Sequence, residues 1–243
     1  MSVPPHARWR VGTVTDLRDE TATARTIVLT VPDWPGHVAG QHVDVRLTAP
    51  DGYSATRSYS LASAPDAARV EVTVDELPDG EVSPHLVREL AVGDRLELYG
   101  PLGGWFVWRA GGTDPVQLVA GGSGVVPLRA MLRAHDGSGS TAPMRLLYSV
   151  RDPGAFLYRA ELGGDPRVTR VYTRSAPPGS ARPAGRIGAR LLAEHTWPPE
   201  DRPACYVCGP TGFVETVADL LVAAGHDPGR IRTERFGPSG GSP

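Results

Sequence analysis

Apolar and polar positions alternate with a period of two through the first half of the chain. WRVGTVTDL, ARTIVLTV, QHVDVRLTA, TRSYSLAS, RVEVTVDEL and RLELYGP each read as a half-buried strand. Turn clusters such as DWPG and PDGY separate them, so the expected architecture is an antiparallel β-barrel of about six strands. One short helix is expected at SPHLVREL, with Ser83 as its N-cap and Pro84 in the first helical position. Near residue 112, after the AGGTD link, the rhythm becomes strand, helix, strand, helix. The strands are VQLVA, MRLLYSV, RVTRVYT, ACYVCG and RIRTERF, and the helices are expected over 125–135, 153–162, 187–195 and 211–224. Apolar strands alternating with helices predict a parallel five-stranded sheet with helices on both faces. The chain therefore divides into an antiparallel barrel over 1–111 and an α/β parallel-sheet domain over 112–243. DGSGSTAP and SAPPGSARPAG read as flexible loops.

Composition narrows the function classes. Twenty-five basic against 27 acidic residues leave a net charge of -2, which offers no global attraction to nucleic acid or to an anionic membrane. No run of about 18 apolar residues is present, and the opening MSVPPHARWR lacks the apolar core of a signal peptide, so a cytoplasmic protein is expected. The seven histidines have no metal-ligand spacing. Cys205 and Cys208 form a C-x-x-C, but ACYVCG is strand-like, so the two thiols should point to opposite faces rather than form a redox pair. Two cysteines are too few for an iron–sulfur cluster.

Two segments suggest anion sites. VAGGSGVVPLRAML joins a strand, a glycine turn and a helix. Gly122 and Gly124 would let backbone N–H groups approach a diphosphate at the helix N-terminus, and Pro127 stands where a third glycine is usual. In the first half, Val82 and Ser83 open a helix and Arg57 is a candidate counter-charge, although an ordinary cap and a surface arginine account for these as well.

The segments R-S-Y-S, G-E-V-S, GPLGGWF, GGSGVVP, CGPTGFVE and ERFG occur in that order. This resembles the ferredoxin–NADP reductase-like flavoprotein family across essentially the whole chain. The resemblance implies a flavin-binding antiparallel barrel followed by a nicotinamide-nucleotide-binding α/β domain. It implies that Arg57 neutralises flavin phosphate within the Arg57–Ser58–Tyr59–Ser60 motif. Tyr59 would lie against the isoalloxazine, and Ser60 would hydrogen-bond near flavin N5. Gly80, Val82 and Ser83 match the segment that wraps the flavin pyrophosphate, which favours FAD while leaving FMN open. Gly122, Gly124 and Pro127 match the pyrophosphate turn for the nicotinamide nucleotide, and Cys208, Gly209 and Pro210 the loop bordering its nicotinamide. Glu234 and Phe236 match the terminal region beside the flavin.

The implied activity is hydride transfer from NAD(P)H to FAD, then single-electron delivery. No catalytic triad is required, and His42 and His85 read as surface histidines rather than proton donors. Ser149, Arg151 and Arg174 follow the second and third strands of the nucleotide domain, where cations and hydroxyls favour NADPH. Asp152 would instead favour NADH by bonding the ribose. The chain ends seven residues after Phe236 without an iron–sulfur or haem pattern, so the expected acceptor is a separate redox protein such as a ferredoxin. The alternatives are a flavin or quinone reductase and, from another class, a non-enzymatic nucleotide-binding sensor.

Overall fold

The computed structural model describes residues 7–65, 69–180 and 182–237. The MSVPPH start and the last six residues, on which the expectations about a leader and the chain's end rested, lie outside the described residues. Two compact units are present. One comprises residues up to Arg109 together with Arg129–Ser138, and the other Ala110–Leu128 together with the chain from Gly139.

In the first unit, β1 (Arg8–Asp19), β2 (Ala24–Thr30), β3 (His42–Thr48), β4 (Ser54–Ser60), β5 (Arg69–Asp75) and β6 (Arg95–Leu102) form one antiparallel sheet. Its order is β4-β3-β6-β1-β2-β5. The sheet curls until the chain leaving β4 meets β5. Leu61 bridges to Val72, and Ala62 N–H donates to the Glu71 carbonyl at 2.7 Å. Alternation works as expected on the inner face, where Val43, Val45, Val70, Val72, Val74 and Leu98 are buried in one core. Helix α1 (Ser83–Arg88) contributes Leu86 and Val87 to that core.

The cap of α1 departs from expectation. The N-cap is Val82, with no side-chain cap bond. The Ser83 hydroxyl instead accepts from Leu77 N–H at 3.0 Å, so it ties the preceding turn to the helix.

Strand β5 is buried on both faces. Val70, Val72 and Val74 point into the core, yet Glu71 and Thr73 are also buried. The Thr73 hydroxyl meets that of Thr26 at 2.8 Å. Glu71 stands among four arginines, namely Arg18 at 2.9 Å, Arg69 at 2.8 Å, Arg133 at 3.0 Å and Arg129 at 3.5 Å. Burial works to raise its pKa, but the charges of Arg133, Arg18 and Arg129 outweigh this and hold it below the ordinary value.

In the second unit, β7 (Val116–Gly121), β8 (Met144–Val150), β9 (Val168–Tyr172), β10 (Ala204–Pro210) and β11 (Ile231–Phe236) form a parallel sheet in the order β11-β10-β7-β8-β9. Helix α2 (Val125–Ser138) runs three residues past its expected end, into DGSGSTAP, and stops where Gly139 turns left-handed at φ 69°. The helix expected over 153–162 is broken. A 3₁₀ turn at Pro153–Ala155 is followed by α3 (Arg159–Leu162), and Tyr158 between them is left-handed at φ 57°. Helix α4 (Ala189–His195) starts two residues later than expected, and α5 is Thr211–Ala223. Among the described residues no helix is long and apolar enough to cross a membrane, and no group of three or more His, Cys, Asp or Glu side chains is placed to hold a metal ion.

Candidate functional site

The first cluster sits on the edge strand β4. Residues directly opposite on paired strands share a face, so Arg57 and Tyr59 lie with the core residues Val45 and Val43, while Ser58 and Ser60 lie with Asp44 and His42. Tyr59 is partly buried against the barrel core, and burial pushes its hydroxyl up to about 12. Ser58 donates to Asp44 at 2.5 Å. Arg57 is exposed on this edge strand. Its NH1 donates to the Thr56 carbonyl at 2.9 Å, and its NH2 to Glu81 at 2.6 Å.

That ion pair brings β4 to the Gly80–Ser83 segment, so the R-S-Y-S motif and the start of α1 form one patch. Glu81, which lies inside GEVS, escaped sequence reasoning because an exposed acidic residue carries no pattern. Ser60 pairs with His42. The His42 ring is half-buried beside Gly103, whose added Cβ would lie 3.2 Å from Nδ1. Burial lowers its pKa, so His42 is a neutral, packed ring rather than a surface histidine. His85 lies on α1 and bonds Glu89 at 2.9 Å.

The second cluster lies at the carboxyl ends of the parallel strands. From the central strand β7 the chain order runs one way through β8 and β9 and the other way through β10 and β11. The β7–β10 boundary is therefore the topological switch point, where open α/β sheets bind ligands. The glycine turn leaves β7 at this point. Gly122 is left-handed at φ 56° with open space where a Cβ would stand, a conformation glycine adopts without steric cost. Its backbone is approachable from solvent, as a diphosphate would need.

Gly124 does a different job. An added Cβ would lie 2.2 Å from the Cys208 carbonyl oxygen, so this glycine lets the turn press against the end of β10. Gly121 and Gly209 do the same for the Phe213 ring, which an added Cβ on either would meet at 2.7 Å. Sequence reasoning missed Gly121 and Phe213, and it named Gly209 only as a border of the nicotinamide and not for this packing. The CGPTGF run holds Gly209 and Phe213 only four residues apart, within one strand–helix turn. Pro127 lies in the first turn of α2, where its missing N–H leaves no helical bond unmade.

Cys208 is opposite Glu234, and Pro210 opposite Phe236, across β10 and β11. The Cys208 thiol is fully buried, and burial first, then the nearby Glu234, push its pKa well above the ordinary value. Burial raises Glu234 to about 7, and its Oε2 is withdrawn from solvent. Phe236 is half-buried at the end of β11. Cys205 joins the core with Val207, three residues and therefore one face away from Cys208. Neither is in a disulfide, and burial pushes Cys205 up to about 12. The native protein is expected to resist iodoacetamide at pH 8, with both thiols reacting only after unfolding. Rapid native labelling at either position, read by peptide mass, would contradict this.

Ser149 is buried at the end of β8, opposite Gly121. Arg151 and Arg174 are both exposed just beyond β8 and β9, and Arg174 N–H donates to the Arg151 carbonyl at 2.8 Å. Asp152 caps the following 3₁₀ turn, its Oδ1 accepting from Gly154 N–H at 2.8 Å and Ala155 N–H at 3.2 Å.

Residues 12–107 match the oxidoreductase FAD-binding domain family, and residues 118–219 the oxidoreductase NAD-binding domain family. The chain is 31% identical to a flavohemoprotein of Pseudomonas putida over 82% of its own length and 51% of that protein. It is 31% identical to the ferredoxin reductase component of a 3-ketosteroid-9-alpha-monooxygenase from Rhodococcus rhodochrous, over 100% of this chain and 69% of that one. Its length thus spans from about half to over two thirds of these curated relatives. Among solved structures, the flavohem-like FAD/NAD-binding domain of a Vibrio cholerae nitric oxide dioxygenase superposes with a TM-score of 0.80 at 27% identity. That match covers 94% of this chain and 99% of the other. With a curled flavin-type barrel, a nucleotide-type parallel sheet and both domain families matched in order, the chain belongs to the ferredoxin–NADP reductase-like family of FAD- and NAD(P)-binding oxidoreductases.

Proposed function

We propose that the protein takes hydride from NAD(P)H onto FAD and passes the electrons singly to a separate redox protein such as a ferredoxin, in the cytoplasm. The observation that carries this reading is the glycine turn at the switch point, with an approachable Gly122 and a Gly124 seated on Cys208, in a chain that matches both cofactor-binding families in order. On this reading residues 1–111 hold FAD and residues 112–243 hold the nicotinamide nucleotide. Bound FAD supplies two-electron acceptance and one-electron release.

The chain's own residues then bind and orient. Arg57 uses two of its five N–H groups on Thr56 and Glu81, which leaves three for a flavin phosphate. Gly80, Val82 and Ser83 follow the diphosphate. Tyr59 presents its ring, and Ser58 and Ser60 line the other face of the strand. On the nucleotide side Gly122, Gly124 and Pro127 shape the diphosphate turn. Cys208, Gly209 and Pro210 border the nicotinamide, and the buried, neutral Cys208 thiol behind that border adds no charge. Glu234, with its pKa near 7, can hold a proton at the edge of the site, and Phe236 covers it.

NADPH is the proposed coenzyme. Ser149, Arg151 and Arg174 offer a hydroxyl and two cations to a 2′-phosphate. The carboxylate that would favour NADH, Asp152, has Oδ1 engaged by two backbone N–H groups. A charge-assisted hydrogen bond is worth about 1.5–3 kcal/mol, so Arg151→Ala should raise KM for NADPH by roughly tenfold or more and leave NADH little changed. A wild type with higher kcat/KM for NADH would reverse the coenzyme assignment. The activity itself is tested by anaerobic reduction of the purified flavoprotein with NADPH, followed by mixing with ferredoxin, oxygen, free flavin or a quinone. Fastest reoxidation by the redox protein is expected. If a small acceptor gives the best turnover and no redox protein improves on it, the electron-transfer reading fails.

A further inference from the structure

The turn between β3 and β4 carries an aromatic residue for which no role has been given. Tyr53 is 59% exposed, and its backbone is fixed. Its carbonyl accepts from Ala49 N–H at 2.8 Å, its N–H donates to Asp51 Oδ1 at 3.0 Å, and the preceding Gly52 is left-handed at φ 90°. Single exposed hydrophobic residues are common and need no explanation. This one is held by its edge. The hydroxyl donates to Glu81 Oε1 at 3.0 Å, while Glu81 Oε2 accepts from Arg57 NH2 at 2.6 Å. One carboxylate thus holds the phenol and the guanidinium side by side, while Tyr53 itself remains largely exposed.

We infer that Tyr53 is the stacking platform for the adenine ring of FAD and that it sets the preference for FAD over FMN. The inference rests on the flavin reading of the first unit. A phosphate on the three remaining N–H groups of Arg57 would have the Tyr53 ring one carboxylate away, close enough for an adenosine attached to that phosphate to reach it. Stacking on an aromatic face tolerates any orientation of the base edge and needs no further hydrogen bonds. Tethering the hydroxyl removes ring freedom before the ligand arrives, so less ordering is lost on binding. FMN has one phosphate and no adenosine, so it gains nothing from Tyr53.

The test is a titration of FAD, and separately of FMN, into the full chain freed of flavin, read by quenching of flavin fluorescence. Tyr53→Ala is expected to weaken FAD by about tenfold, a typical stacking effect, with FMN affinity unchanged. Tyr53→Phe keeps the ring and loses only the tether, so its loss should be clearly smaller than that of Tyr53→Ala. An unchanged FAD affinity in Tyr53→Ala, or equal losses for FAD and FMN, would overturn the inference. A Tyr53→Phe loss as large as that of Tyr53→Ala would also overturn it, because the hydroxyl and not the ring would then be responsible. A wild-type chain that binds neither flavin would overturn the flavin reading itself, a separate and recognisable result.

Discussion

Replacing Glu71 with glutamine is expected to lower the melting temperature by on the order of 10 °C. Glu71 is a buried carboxylate within 3.5 Å of four arginines, and Arg129 is as deeply buried as Glu71 itself. Removing one partner from such a cluster leaves desolvated like charges facing each other, at a cost of about 3–5 kcal/mol. For a chain of this size each kcal/mol shifts the midpoint by about 2–4 °C. The pH dependence has a definite sign. The folded pKa lies below the ordinary 4.5, so the contribution is complete above that value and drains away as pH falls through the folded pKa. Thermal melts of wild type and Glu71→Gln should therefore differ most at neutral pH and converge in acid. A difference that grew on acidification, or a variant as stable as wild type at pH 7, would show that the cluster does not stabilise the fold.

The second large effect is expected at Gly124. An alanine Cβ there would stand 2.2 Å from the Cys208 carbonyl oxygen and 2.8 Å from the Gly209 nitrogen. Both are backbone atoms of a central strand and cannot swing aside like the end of a side chain. Overpacking of this kind costs about 1–3 kcal/mol, occasionally more, and the movement that relieves it shifts the turn away from β10. Gly124→Ala should thus lose coenzyme affinity by roughly tenfold to a hundredfold, the affinity equivalent of that cost, while retaining flavin. Gly122→Ala meets no atoms and pays only the left-handed backbone cost of about 1–2 kcal/mol. Thermal melts that rank Gly122→Ala as the more destabilising would reverse the division of labour between the two glycines.

The barrel and the α/β rhythm were legible because period-2 alternation and strand–helix alternation are local signals. The inner faces of β3, β5 and β6 bury the valines and leucines that their pattern marks as apolar. Glu71 was not legible for the same reason. In RVEVTVD the polar positions look solvent-facing, and only distant residues, Arg18 on β1 with Arg129 and Arg133 one turn apart on α2, bury that face. The break at Tyr158 also left no trace, since a tyrosine in left-handed backbone has none of the marks of a glycine stop. Within the site, Gly122 was identified as an approachable turn residue, but the close packing of Gly121, Gly124 and Gly209 depends on what β10 and Phe213 bring to them. Arg57 was singled out by its motif. Its pairing with Glu81 and the neighbouring Tyr53 depends on how a hairpin and a helix start fall together, which no spacing encodes.

The burial of both cysteines makes the native chain a ready background for thiol-directed probes. A new cysteine on the surface would be the only reactive one, so no native residue needs to be removed first. Val92 in the first unit and Val222 in the second are exposed at 62% and 46%. Val92→Cys and Val222→Cys therefore accept a dye with little disturbance to either core. Placed singly, either label would report from within its own unit, and a single such cysteine would tether the protein to an electrode in a chosen orientation.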